Sequence, residues 1–462
     1  MSRTAAERVR RGKDERAAVP RSAHADWAPS ADRRDPVDLL EEQGAARVPE
    51  LVPIRYGRML ASPFAFFRGA AAIFAADVAT TPHTGIQAQL CGDAHIANFG
   101  IFLAPDRSLV FDLNDFDETL PGPWEWDVKR MAASVEIAGR HVSLKRSERR
   151  TAVTWGVESY RQAMRTFATM DTLDVWYAHL EVGDIVDHFA DTIDKANLAQ
   201  IRKRIAKAEG KTSLRALEKL TGRVDGQLRF LSAPPLLMTL DDLGTQEDAA
   251  AVRAHMGDLV QAYAQSLPDD RRHLFHQYRL VDLARKVVGV GSVGTRAWVL
   301  LFEGRDERDP LILQAKEAVR SVLEPYAGQS AYEQQGHRVV EGQRLMQAAS
   351  DILLGWQQVT GPDGVTRDFY LRQLWDGKGS ADLETMDAGK LQVYARMCGW
   401  TLARAHARSG DRAAIASYLG GGAVFDEAIA TFADAYADQN EHDYAELAAA
   451  ADSGRIAVER GV

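Results

Sequence analysis

Only two cysteines, Cys91 and Cys398, occur in 462 residues. That is too few for a disulfide framework or a cysteine-based zinc cluster, and it fits a reducing compartment. Basic charge is not in excess: 65 acidic against 56 basic side chains leave a formal charge of −9. No general positive field therefore marks nucleic acid or an anionic membrane as a partner. Long apolar runs are missing too. The most apolar window, Phe64 to Ala79, is broken by Arg68 and Asp77 and falls short of the ~20 residues a spanning helix needs. No apolar segment follows the Arg10-Arg11 pair, so neither a Sec nor a twin-arginine leader is expected. The expectation is a soluble, cytoplasmic chain with no membrane insertion and no nucleic-acid partner.

What is present is a chain of 46% hydrophobic content, enough to bury a large core in two or three domains or one bilobal unit. Residues 1–36 read as a solvated or loosely ordered tail. Helical patterning runs intermittently from Val37 to about Thr80, and a strand is expected at Ile86–Leu90. "FGIFLAPDRSLVFDLND", from Phe99, reads as a hairpin turning at Pro105-Asp106. The chain from Trp126 to about Asp282 is mainly helical. Three strands are expected across Lys286–Ala318, where apolar runs are separated by glycines and a charged turn. A helix, two more strands and a strongly amphipathic helix ending in "LARAHARSGD" follow.

Polar residues concentrate at two places, "CGDAHIANFG" (91–100) and "DLNDFDE" (112–118), and the hairpin brings one to the other. Farther on, Gly289, Gly291 and Gly294 form G-x-G-x-x-G around Ser292. Such glycines let backbone N–H groups approach phosphates. A dinucleotide fold would continue as a helix, but "RAWVLLFEG" continues as a strand. Strand, glycine loop, strand is the kinase order, in which a lysine on the next strand meets the phosphates, and Lys316 in "LILQAKEA" fills that place. A glycine-rich hairpin with a solvated lysine is the bland alternative.

Phosphoryl transfer to a hydroxyl needs a carboxylate for the acceptor and oxygen ligands for Mg2+. Asp93 and Asn98 stand five apart, as base and metal-binding amide do in a kinase catalytic loop. With Gly92 and His95 they resemble the H-G-D-x-H-x-x-N loop of the aminoglycoside phosphotransferase type, with Cys91 replacing its first histidine. A second metal ligand is expected after the hairpin. Asp115 is favoured because "NDFDE" resembles D-F-G, Asp112 competes on spacing, and Asp117 is a further ligand or a cap. "GPWEWDVKRMAAS" resembles the helix start beneath the phosphotransferase loop, with Asp127 in a supporting role or as a plain helix cap. Glu341, favoured over Glu333, is the expected partner of Lys316, Arg338, Gln343 and Arg344 are candidates to face phosphates, and backbone near Gln373 to Trp375 is expected to meet adenine. Arg68 among aromatics reads equally as a structural ion pair or a substrate contact.

Together "GDAHIANFG", "FDLNDFDE", "KVVGVGSVGTR", "GHRVVEGQRLMQAASDILLGW" and "LARAHARSGD" are similar to the bacterial domain-of-unknown-function family 2252, over nearly the whole chain after the tail. That family brings no activity. The phosphotransferase resemblance implies an α+β, bilobal protein-kinase-like fold binding ATP and Mg2+, with an unidentified small-molecule or protein acceptor. Because the glycine loop and lysine follow the catalytic loop, the fold would be circularly permuted. A small antiparallel-sheet nucleotide lobe (282–375) would join a mainly helical lobe assembled from 37–281 and 376–462. Rival readings are nucleotidyl (AMP) transfer by the same fold, a nucleotide-binding pseudoenzyme, and a binuclear metallophosphoesterase using Asp93, His95 and "GDIVDH" (183–188).

Overall fold

The computed structural model describes residues 4–181, 183, 217, 220–224, 226–243, 257–287, 289–361, 363–374 and 382–461. The stretch expected as a loose tail begins instead with helix α1, Ala5–Ala18, opened by a capping box between Thr4 and Glu7. Two arginines of this stretch have carbonyl partners. Arg16 donates to Tyr418 O at 2.8 Å and Arg21 to Leu419 O at 2.5 Å, satisfying the open end of a C-terminal helix. Four short helices follow: α2 (Pro36–Ala45), α3 (Val52–Met59), α4 (Pro63–Gly69) and α5 (Ala71–Val78).

Next come strands β1 (Gln87–Leu90), β2 (Phe99–Leu103), β3 (Leu109–Leu113) and β4 (Leu120–Pro123). β2 and β3 form the expected hairpin, with Phe99 opposite Leu113, while β1 pairs antiparallel with β4, Leu90 opposite Leu120. This pairing decides the site. The loop after β1 and the loop after β3 must run side by side, because both connect the β1–β4 pair to the β2–β3 pair. Helix α6 (Trp124–His141) lies beneath them, buried over nearly its whole length, and is followed by α7 (Arg146–Thr169) and α8 (Thr172–Tyr177). A short β5 (Leu180–Glu181) extends β3.

The later half opens with the hairpin β6 (Thr221–Val224) and β7 (Gln227–Phe230), then β8 (Leu237–Thr239), α9 (Leu240–Leu243) and α10 (Asp269–Phe275). Strands β9 (Arg279–Lys286), β10 (Ala297–Glu303), β11 (Pro310–Ala318), β12 (Gly355–Thr360) and β13 (Thr366–Gln373) build the main sheet. Its order is β12-β13-β11-β10-β9-β8, with every pairing antiparallel. Two strands, not the expected three, lie within Lys286–Ala318; the third ends at Lys286, and the glycines form an irregular turn. Between β11 and β12 stand α11 (Glu324–Ala327) and α12 (Gln335–Met346).

Helices α13 (Ala388–Ser409), α14 (Arg412–Leu419) and α15 (Val424–Asp452) return to the helical half. α13 lies against α7 so closely that a Cβ on Gly399 would fall 2.0 Å from Gly156 O; only glycine permits that approach. The last turn of α13 then meets β1, where Gln89 N donates to Ser409 Oγ at 3.1 Å. The architecture is mixed α+β with antiparallel sheets. One large core underlies the loops and long helices, and a second, including Leu283, Leu300, Phe302 and Leu371, lies against the main sheet.

Candidate functional site

The two chain halves face each other across a cleft of about 470 Å3. Asp93, His95, Asn98 and Asp115 line it from the early half, and Gly289, Gly291, Ser292 and Lys316 from the later one. The approach of the two polar loops depends on Gly92. Its φ is +81°, and a Cβ there would fall 2.4 Å from Glu118 O, so a larger residue would be both strained and obstructed.

Asp127, at the start of α6, fixes that loop from below. Its carboxylate accepts the N–H of Cys91 at 2.8 Å and of Gly92 at 3.1 Å. His406 of α13 approaches the same carboxylate, Nε2 to Oδ2 3.3 Å, and its Nδ1 is 2.9 Å from Tyr160 Oη. A histidine from a distant helix thus supports the loop through Asp127.

Three residues after Asp127, Arg130 rises from the same helix and donates Nε to Asp93 Oδ1 at 2.9 Å. Its Nη2, itself 2.8 Å from Asp93 Oδ1, donates to Phe67 O at 2.7 Å, and its Cζ lies 3.8 Å from the Phe67 ring centroid. Burial pushes Asp93 up to about 6, against the pull of Arg130. Asp93 Oδ2 lies 3.6 Å from His95 Nε2. Burial, reinforced by the charges of Arg130 and Arg68, holds His95 well below the usual imidazole range, so the ring is neutral. Asn98 donates Nδ2 to Asp93 O at 2.8 Å, which leaves its side-chain oxygen as the free end.

On the opposite wall, Lys316 stands on β11 opposite Tyr370 of β13. Its Nζ donates to Asp117 Oδ2 at 2.6 Å and lies 3.8 Å from Asp115 Oδ2. Tyr370 Oη donates to Asp117 Oδ1 at 2.6 Å, and Ser292 Oγ to Oδ2 at 3.1 Å. Burial alone would raise Asp117, but Lys316, aided by Tyr370 and Arg372, holds it at about 2. Burial also disfavours the Lys316 charge, and the two aspartates outweigh it, raising the lysine above its ordinary value. Asp115 accepts the Asp117 N–H on Oδ1 at 3.2 Å.

Several expectations are corrected. Asp112 is not a cleft residue: Oδ1 takes Arg404 and the Leu113 N–H, Oδ2 takes the Ala348 N–H, and the side chain is buried. Glu341 does not pair with Lys316. Its carboxylate meets Arg344 at 2.9 Å, because the acidic loop after β3 occupies the lysine first. Arg338 faces no open cleft; it donates to the carbonyls of Thr119, Asp117 and Val319 at 2.7, 2.9 and 2.8 Å. Gln343 bonds Gln347, and Arg344 also bonds Leu354 O. Gln373 gives both its backbone N–H and its side-chain amide to Asp351, while Leu374 lines the cleft. Gly294 packs on the stem of Arg47 rather than lining the cleft. Trp375 and residues 184–188 of "GDIVDH" lie outside the described residues.

Sequence reasoning did not single out Arg130 or His406. Arg130 was accessible: a helix starting at Trp124 puts residues three apart, such as Asp127 and Arg130, on one face. His406 was not, since only the tertiary approach of α13 brings it to Asp127.

Asn98 and Asp115 offer the hard oxygen donors that Mg2+ takes. Among the described residues no group of three or more His, Cys, Asp or Glu is arranged to hold a metal ion. A cation there would complete its shell with ligand oxygens or water.

Fold and cleft together define a mixed α+β protein with antiparallel sheets and a charged cleft. The chain belongs to the DUF2252 family, described as an uncharacterized protein conserved in bacteria, whose profile matches residues 47–450. No curated protein and no solved structure matches it. Among the described residues no helix is long and apolar enough to cross a membrane.

Proposed function

We infer that this chain is an ATP- and Mg2+-dependent phosphotransferase acting on a hydroxyl-bearing acceptor, with a circularly permuted kinase-like fold. The observation that carries the reading is the single cleft in which Lys316 and the glycine turn face Asp93, Asn98 and Asp115. The permutation is supported by the end of α13 meeting β1 through Ser409 and Gln89, where an unpermuted chain would run directly into the catalytic loop.

In this reading Asp93 orients the acceptor hydroxyl and takes its proton. Its pKa of about 6 suits a base working near neutrality. Neutral His95 and Arg130 hold that carboxylate in place. Asn98 and Asp115 hold Mg2+, which when bound neutralises charge on the phosphates. Lys316 is kept protonated by Asp115 and Asp117 and contacts the phosphates, while Gly289 to Ser292 cover them. Mg2+ sites of this kind use one or two carboxylates plus substrate phosphates rather than an all-protein cage, which the donor set here suits better than a binuclear phosphoesterase.

The test is product analysis with ATP labelled at the α- or γ-position. Label leaving only from the γ-position, and lost in Asp93→Asn, is expected; label transferred from the α-position would replace this reading with nucleotidyl transfer.

A further inference from the structure

Arg68 stands in the last turn of α4 and lines the cleft together with Asp93. Among the described residues its guanidinium has no hydrogen-bond or ion-pair partner, and Nε is wholly buried without one. Of the charges around it, Asp93 is the one that acts on it, yet that carboxylate is bonded to Arg130. The helix end that carries Arg68 is fixed from both sides. Phe67 O accepts Arg130 at 2.7 Å, and a Cβ on Gly291 would fall 3.3 Å from Arg68 O. The backbone that carries Arg68 is therefore held against the cleft that its side chain lines.

A second cation, Lys286, ends β9 immediately before the glycine turn and lines the same cleft. It too has no carboxylate partner among the described residues; burial and the nearby Arg58 both work against its charge. Lys316 already has two carboxylates and Arg372 donates to Asn114 O at 2.9 Å, so among the described residues Arg68 and Lys286 are the cleft-lining cations left without a hydrogen-bond or ion-pair partner. A partly dehydrated guanidinium without a counter-ion is costly, and an anion entering beside Asp93 removes that cost.

We propose that the acceptor is itself an anion, a hydroxyl compound bearing a carboxylate or phosphate that Arg68 and Lys286 hold while Asp93 faces the hydroxyl. Neutral sugars and polycationic acceptors are then disfavoured. The proposal rests on the phosphotransferase reading for the word acceptor, but the anion subsite is testable without it.

The experiment is thermal unfolding of the full chain with inorganic phosphate, with and without a non-hydrolysable ATP analogue and Mg2+ filling the triphosphate site. Phosphate is expected to add about 1–3 °C on top of the analogue. Arg68→Met should abolish that increment and Lys286→Met reduce it, while both keep the analogue's own shift. Because Arg68 donates no hydrogen bond among the described residues, Arg68→Met should unfold no earlier than the parent without ligand. A variant that fails to fold would overturn the proposal by making Arg68 structural. A phosphate increment that survives in both variants, or phosphate that competes with the analogue, would also overturn it. If the analogue never binds but phosphate still stabilises the parent and not Arg68→Met, the nucleotide reading falls and the anion subsite stands.

Discussion

The Lys316 ammonium lies 2.6 Å from the Asp117 carboxylate across 199 residues of sequence. This contact joins the main sheet to the acidic loop, and Tyr370 and Ser292 converge on the same carboxylate. It is a structural clasp and the floor of the cleft at once.

Removing the Asp117 charge leaves the buried Lys316 ammonium with only the more distant carboxylate of Asp115, at 3.8 Å. Asp117→Asn is expected to cost about 3 kcal/mol at pH 7, read by urea unfolding. The folded pKa of Asp117, about 2, lies below its unfolded value of about 4. The stabilisation is therefore complete above the unfolded value and is lost as pH falls through the folded one. The gap between parent and variant should close over that interval.

Asp93 has the opposite sign. Its folded pKa of about 6 lies above the unfolded value, so its contribution to stability declines as pH rises from about 4 to about 6. Carbon-13 NMR of labelled aspartates should show a carboxylate titrating near pH 6 that is missing in Asp93→Asn. In Arg130→Gln the same signal should titrate higher, because the guanidinium that favours the charged form is gone.

Asp112 and Asp115 should separate cleanly. Asp112→Asn removes the charge paired with buried Arg404 and is expected to cost about 3 kcal/mol, with Mg2+-dependent nucleotide affinity unchanged in the folded protein. Asp115→Asn should change stability by less than about 1 kcal/mol while weakening that affinity at least about tenfold, equivalent to about 1.4 kcal/mol. Calorimetric titration beside urea unfolding reads both.

Asp127 carries the loop. Asp127→Ala strips the Cys91 and Gly92 amides of their acceptor and should cost about 2–4 kcal/mol. Hydrogen exchange at those two amides should accelerate before any global loss of protection.

Local chemistry made most of the elements legible. The turn at Pro105-Asp106, the apolar strand carrying Lys316 and the periodicity of α13 all announce themselves over a few residues. What local pattern could not supply was partner choice. Asp112, Asp115 and Asp117 look alike in sequence, and only strand pairing shows that Asp112 turns to Arg404 while Asp117 reaches Lys316. Glu341 was misassigned for the same reason, since a helix residue's nearest cation was its own neighbour Arg344. Residues 1–36 read as a loose tail because the partners of Arg16 and Arg21, the carbonyls of Ser417 to Leu419, lie about four hundred residues away in sequence.

Calorimetric titration of the parent protein, Lys316→Met and Asp115→Asn with a non-hydrolysable ATP analogue, with and without Mg2+, tests the central claim most directly. Binding should be tight only with Mg2+ in the parent, weakened in Lys316→Met, and stripped of its Mg2+ dependence in Asp115→Asn. Absence of binding to the parent, or binding indifferent to both substitutions, would contradict it.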